Sequence, residues 1–292
     1  MSRSSRTIVV TGATGKQGSA AVRKLRDRGW EVRGISRDPS APKAKAIRAL
    51  GAEVVRGDLS NPFAVRRAMK DAYGVFCVLT WADGGPQMEK KRARIVANAA
   101  KEAGVQHFVY SSVGGAERRT GIPHFESKWE NEKYINSIGL PWTMLRPVSF
   151  FENFDNPSSR DSILAGRFLS PLPPDRPLQM ISVEDIGGFA CMAFEDRNRW
   201  LQTATEIAGD EKTMPQVAEA LGRAIGRPVR HEQIPLERLD PERQIMNRWM
   251  IENGYRANIP ALRRMRPSLM TLEKWLETGP WAAVQAKVMV PA

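Results

Sequence analysis

Thr7-Ile8-Val9-Val10-Thr11-Gly12-Ala13-Thr14-Gly15-Lys16-Gln17-Gly18 decides how the rest of the chain is read. Ile8, Val9 and Val10 form a β-branched apolar run, the composition of a buried strand. Glycines follow at positions 12, 15 and 18. A helical pattern comes next, with Ala20, Ala21, Val22 and Leu25 apolar, Arg23, Lys24, Arg26 and Asp27 polar, and Gly29 in the position of a C′ glycine. Strand, glycine turn and helix predict the first half of a dinucleotide-binding βαβ unit. Gly12 permits the tight turn, Gly15 lets the backbone approach a pyrophosphate, and Gly18 lets the helix pack on the strand. The helix N-terminus offers N–H groups and a partial positive charge to the phosphates, with Thr14, Lys16 and Gln17 in the same turn.

The second strand is expected over 31–36, and its end selects the cofactor. An acidic residue there would bind both ribose hydroxyls of NAD. Here the strand ends in Ser36 and Arg37, which suit a 2′-phosphate because a guanidinium bonds two oxygens at once. Lys16 is within the same reach, and Asp38 is read as turning into the loop. The cofactor is therefore expected to be NADP(H). Asp58 and Leu59, after a third strand over 53–56, are positioned for the adenine, with an Asx turn or helix cap as the other reading of Asp58. Thr80 and Trp81 follow a fourth strand over 74–79 and are expected beside the ribose or nicotinamide. Ser111 closes a fifth strand over 107–112, and a sixth is expected over 142–146. Helices are predicted between them at 42–50, 62–72, 87–103 and 125–137. This alternation means a parallel sheet covered on both faces.

The fold expected is α/β, a Rossmann-type doubly wound parallel sheet with a smaller C-terminal α+β lobe. Residues 1–150 form the nucleotide-binding domain, and 151–292 mostly the lobe, with about 183–208 returning to the main sheet. Prolines at 157, 171, 173, 174 and 177 mark an irregular stretch. Beyond it, helices are predicted at 183–194, 214–225, 236–252 and 272–277, and strands at 205–208 and 228–234. Helix 62–72 is expected to bury Val65, Ala68, Met69 and Ala72, and helix 87–103 to bury Ile95, Val96, Ala99 and Ala103.

The chain has 292 residues, of which 42% are hydrophobic, enough for a full core. Cys77 and Cys191 lie in apolar segments and read as buried hydrophobes, so a reducing cytoplasm is the expected location. No apolar run is long enough to span a bilayer, and residues 1–6 lack the apolar region of a signal peptide. No membrane partner and no metal are expected. Net charge is +12, and residues 1–150 carry 26 Lys and Arg against 13 Asp and Glu, a net of +13. That excess could draw an anionic cofactor or dock an acidic partner. Lys90-Lys91-Arg92-Ala93-Arg94 is read as the solvated face of a helix, and nucleic acid is disfavoured because no recognition motif accompanies the charge.

A short-chain dehydrogenase needs a Tyr and a Lys four positions apart after the fifth strand. The matching stretch is His124-Phe125-Glu126-Ser127-Lys128. Lys128 is present, expected to hold the nicotinamide ribose, and His124 stands at the tyrosine position. His124 is either a proton donor or a pocket-lining residue.

With these residues, and with Ser36-Arg37-Asp38-Pro39, residues 51–58, Arg146-Pro147, Phe150-Phe151-Glu152-Asn153-Phe154 and residues 272–276, the chain resembles the NmrA-like family of atypical short-chain dehydrogenases/reductases. The likeness is greatest to its redox-sensor branch and runs over nearly the whole chain. It implies NADP(H) binding, with Phe151 and Asn153 added to the cofactor contacts. Members of that family are either regulators that sense the cofactor and dock protein partners, or NADPH-dependent reductases of quinones, dyes and phenolics. The missing tyrosine favours a redox-sensing regulator, as a monomer or homodimer. The alternative is an oxidoreductase acting on a small aromatic or conjugated substrate, with Trp81, Phe150, Phe151 and Phe154 as an apolar pocket or as core.

Overall fold

The computed structural model describes residues 6–282 and 284. Its first part alternates as anticipated: β1 (Thr7–Val10), α1 (Lys16–Asp27), β2 (Glu31–Ser36), α2 (Pro42–Ala49), β3 (Glu53–Arg56), α3 (Pro62–Met69), β4 (Ala72–Val78), α4 (Gly85–Glu102), β5 (His107–Ser111), α5 (Pro123–Ser137) and β6 (Trp142–Pro147). After it come β7 (Ser149–Phe150), α6 (Pro157–Leu164), β8 (Arg167–Ser170), β9 (Leu178–Ile181), α7 (Val183–Glu195), α8 (Arg197–Trp200) and β10 (Ala204–Ile207). The remaining elements are β11 (Asp210–Lys212), α9 (Met214–Ile225), β12 (Arg230–Gln233), α10 (Pro241–Glu252), α11 (Ile259–Met265) and α12 (Leu272–Thr278).

The main sheet has seven strands in the order β10-β6-β5-β4-β1-β2-β3, with β1 to β6 paired in parallel. The chain winds outward from β1 in one direction to β3, then crosses back to β4 and winds the other way. That reversal leaves a crevice at the carboxyl ends of β1 and β4, where open α/β sheets bind their ligands. Ile8, Val9 and Val10 are wholly buried, as are Val75, Phe76 and Cys77 on the neighbouring strand. Strands covered on both faces need such unbroken apolar runs.

The chain folds into two compact units. One runs through Arg119 and takes in Pro123–Arg146 and Ile186–Thr205; the other comprises Thr120–Ile122, Pro147–Asp185 and the chain from Glu206 on. The second contains a three-stranded sheet, β11-β9-β7, and the parallel pair β12-β8. Its buried Asp185 accepts from Ser182 Oγ, Met270 N and Arg266 Nε, which satisfies a carboxylate that would otherwise be costly to bury.

Several expected elements differ. Helix α3 ends at Met69, and Ala72 opens β4 instead, because Asp71 takes a left-handed conformation (φ 57°) that breaks the helix. Ala103 is the exposed cap of α4, and the buried face there is Glu89, Ala93, Val96, Ala97, Ala99 and Ala100. The single helix expected over 236–252 is a short 3₁₀ turn, Leu236–Arg238, followed by α10. Pro241 cannot continue a helix from Asp240, so Asp240 becomes a cap and accepts from Arg243 N. The proline-rich stretch also holds α6, β8 and β9, too short and irregular in pattern to be read from sequence.

Candidate functional site

The glycine turn has the geometry the spacing implies. Gly12 is left-handed, with φ of 58°. A Cβ on Gly18 would lie 2.1 Å from the Gly12 carbonyl oxygen, so only glycine lets α1 approach the turn this closely. Gly15 is the N-cap of α1 and is exposed; no side chain caps the helix and no acidic residue lies in its first turn. The first-turn N–H groups have no carbonyl of their own helix to bond, which fits a pyrophosphate. Thr11 pins the turn to β4: its hydroxyl donates to Val78 O and accepts from Val78 N, both at 2.8 Å.

In the first unit a cleft of about 240 Å³ opens beside this turn. It brings together Gly12, Thr14, Gly15, Ser36, Arg37, Asp58, Leu59 and Thr80, all singled out from the sequence. Asp58 makes an Asx turn, accepting from Ser60 N at 2.8 Å, and that bond holds its carboxyl below the usual carboxylate range. The cap of α3 is Asn61, which accepts from Phe63 N and Ala64 N. Ser36 Oγ donates to Asp38 O, and Asp38 in turn accepts from Ser40, so it does fold back into its own loop.

Two charged residues of the cleft were not anticipated. Asp83 and Arg92 line it beside Arg37. Arg92 is no solvated surface charge: its side chain is only 14% exposed, and it donates to Asp83 O (2.8 Å) and Ser60 Oγ (3.2 Å). The signal was present in the spacing, since Glu89, Arg92 and Val96 lie three and four apart and share one helix face.

The other expected residues lie outside this cleft's lining. Lys16, Gln17 and Gly18 form the first turn of α1. Gln17 Oε1 accepts from Ser111 Oγ at 2.6 Å, tying that turn to the end of β5. Trp81 is 39% exposed and stacks on His124, ring centroids 4.9 Å apart. Lys128 is buried. Its ammonium donates to Leu79 O (3.0 Å) and Ser111 O (3.4 Å) and forms an ion pair with Glu89 Oε1 at 2.8 Å. Ser127 Oγ donates to the same Glu89 carboxylate. Neither nearby tyrosine substitutes for the missing one. Tyr110 is fully buried, accepts from Asn131 Nδ2, and is pushed well above its ordinary pKa by burial; Tyr134 donates to Asn98.

Phe151 and Asn153 belong to the second unit. Phe151 is wholly buried and its ring lies 5.7 Å from that of Trp275, while Phe154 packs edge-on against Phe168, so both are core residues of that unit. Asn153 is exposed. A larger and more open groove, about 870 Å³, lies between α9 and β12 and holds none of the singled-out residues. Cys77 and Cys191 are buried and in no disulfide, and burial pushes the Cys77 thiol up to about 12. Among the described residues, no helix is long and apolar enough to cross a membrane.

The model of the NmrA-like family matches residues 4–268. The chain belongs to the NmrA-like family. It is 31% identical to the NAD(P)H azoreductase of Xenophilus azovorans over 79% of this chain and 78% of that protein. It is 33% identical to the NmrA-like oxidoreductase malD of Malbranchea aurantiaca over 76% of this chain and 75% of that one. Among solved structures, NmrA, a negative transcriptional regulator in complex with NADP, superposes with a TM-score of 0.80 at 20% identity over 98% of each chain. An NmrA-like fold over the full described length is what these likenesses establish; regulators and oxidoreductases both occur on it.

Proposed function

We propose that this NmrA-like protein binds NADP(H) in the cleft beside Gly12–Gly18 and uses it to reduce a flat, conjugated small molecule. The observation that carries the first half is the convergence of the glycine turn, Ser36, Arg37 and Arg92 on one cleft. NADPH, when bound, supplies a hydride. The chain's own residues do the rest. The first turn of α1 holds the pyrophosphate, Arg37 and Ser36 the 2′-phosphate, and Asp58 and Leu59 border the adenine. Lys128 and Glu89 form a buried brace behind Leu79 and Ser111 and keep β4 and β5 in register beneath the cofactor. Lys128 is thus a positioning residue.

Trp81 and His124 support the second half. They present a stacked aromatic face at the end of β4, a surface suited to a planar acceptor. Reduction of such an acceptor adds one hydride and one proton, and the proton comes from His124 or from water. A strong protein acid is dispensable here, which reconciles the absent tyrosine with catalysis. The azoreductase and oxidoreductase names of the two relatives support this choice over the regulator. Two buried cysteines in no disulfide suit a reducing compartment, and we infer a cytoplasmic location.

The regulatory reading keeps one observation in its favour: the ammonium of Lys128 is committed to protein groups rather than turned to a ligand. NADPH oxidation measured with the pure protein across azo dyes, quinones and enals separates the two. Turnover is expected with at least one class. Cofactor binding without turnover on any of them would leave a regulator that docks a protein partner. His124→Ala then reports on the proton: a fall of about 10²–10⁴ in kcat marks it as the acid, and an unchanged kcat assigns the proton to water.

A further inference from the structure

We propose that Asp83 sets how strongly the cleft prefers a cofactor bearing a 2′-phosphate, by acting as a built-in counter-anion that the phosphate must displace. The inference rests on the cleft being an NADP(H) site. Asp83 Oδ2 lies 3.0 Å from Arg37 Nη1 and 3.2 Å from Arg92 Nη2, so one carboxylate oxygen bridges two guanidinium groups on the wall of the cleft. A phosphate oxygen would take the same position for the same reason: planar guanidinium groups bond carboxylate and phosphate with like geometry. The two anions cannot share it, because like charges in contact repel.

The loop is built for exchange. Arg37 is 71% exposed and Asp83 49% exposed, so their attraction is weak and screened. Arg92 keeps its bonds to Asp83 O and Ser60 Oγ whether or not the carboxylate stays, which anchors the backbone of the loop. The side chain of Asp83 alone has to swing out. The turn after it is shaped by two consecutive left-handed glycines, Gly84 (φ 96°) and Gly85 (φ 75°), and by the bond from Gly85 N to Trp81 O at 2.7 Å. A cofactor without the 2′-phosphate leaves the bridge intact and gains nothing by breaking it.

The test is calorimetric titration of the full chain and of Asp83→Asn and Asp83→Ala with NADPH and NADH, and with 2′,5′-ADP and 5′-AMP as minimal probes. Both variants are expected to bind NADPH and 2′,5′-ADP about two- to fivefold more tightly, the scale of one exposed ion pair, with NADH and 5′-AMP changed less than 1.5-fold. Wild-type protein that binds NADPH, with variants that bind it no better or more weakly, would overturn this inference alone, and weaker binding would mean that Asp83 pre-orients the arginines. Wild-type protein that binds neither NADPH nor 2′,5′-ADP would overturn the cofactor reading and this inference together.

Discussion

Glu89 on α4 and Lys128 on α5 form an ion pair at 2.8 Å in the interior of the first unit, the Glu89 side chain fully buried and that of Lys128 10% exposed. The pair gives Lys128 a structural role that needs no tyrosine partner. Each charge is satisfied by protein: Lys128 by two carbonyls as well, Glu89 by Ser127. Removing one member strands the other, which costs about 3–5 kcal/mol, whereas replacing both with uncharged groups of similar volume costs far less. Urea unfolding should therefore show Lys128→Met and Glu89→Gln each strongly destabilised and the double variant closer to wild type. Additive losses would mean that the two residues act separately.

Gly15 and Gly18 are three residues apart and should fail in different ways. A Cβ on Gly15, which has an ordinary φ of −87°, meets only the Gly12 carbonyl oxygen, at 3.2 Å. A Cβ on Gly18 overlaps that oxygen at 2.1 Å. Gly15→Ala should keep its melting temperature within a few degrees and bind cofactor poorly, because the methyl occupies the path of the pyrophosphate. Gly18→Ala should unfold at distinctly lower temperature. Thermal melts with and without NADPH check both, and normal cofactor stabilisation of Gly15→Ala would put the phosphates elsewhere.

These glycines were legible because their constraint is local: three positions, one strand and one helix. The parallel sheet was legible for the same reason, as apolar runs alternating with helical periods. What stayed hidden depended on distant partners. Arg92 looks like one more charge in a basic run until the pitch of α4 turns it toward Asp83 and Ser60. Nothing in the sequence reveals that Glu89, on another helix, meets Lys128. Phe151 and Phe154 carry a family-like pattern, yet Trp275 and Phe168 absorb them into the core of their own unit. Short strands such as β7 and β11 have too few residues for a period to show.

His107 links stability to pH. Its Nε2 lies 2.7 Å from Thr143 Oγ1, whose own proton goes to Trp200 O, so Nε2 is the donor and Nδ1 is buried with no partner among the described residues. Burial, with a smaller contribution from Arg197, lowers its pKa from 6.5 to about 4. The folded state thus resists a proton that the unfolded chain accepts. The neutral ring's contribution is complete above about pH 6.5 and is lost as pH falls toward 4, up to about 3 kcal/mol. Unfolding free energy measured between pH 7 and 4.5 should fall accordingly, and His107→Leu should flatten that part of the curve. An equally steep fall in the variant would assign the effect to other groups.

Calorimetry with NADPH and NADH on wild type and Arg37→Ala tests most directly whether a 2′-phosphate lodges at Ser36 and Arg37. Wild-type protein should bind NADPH more tightly than NADH. Arg37→Ala should weaken NADPH by the roughly 1.5–3 kcal/mol of a charge-assisted bond, about ten- to a hundredfold, and leave NADH nearly unchanged. Equal affinity for the two cofactors in the wild type, or equal losses in the variant, would contradict that placement.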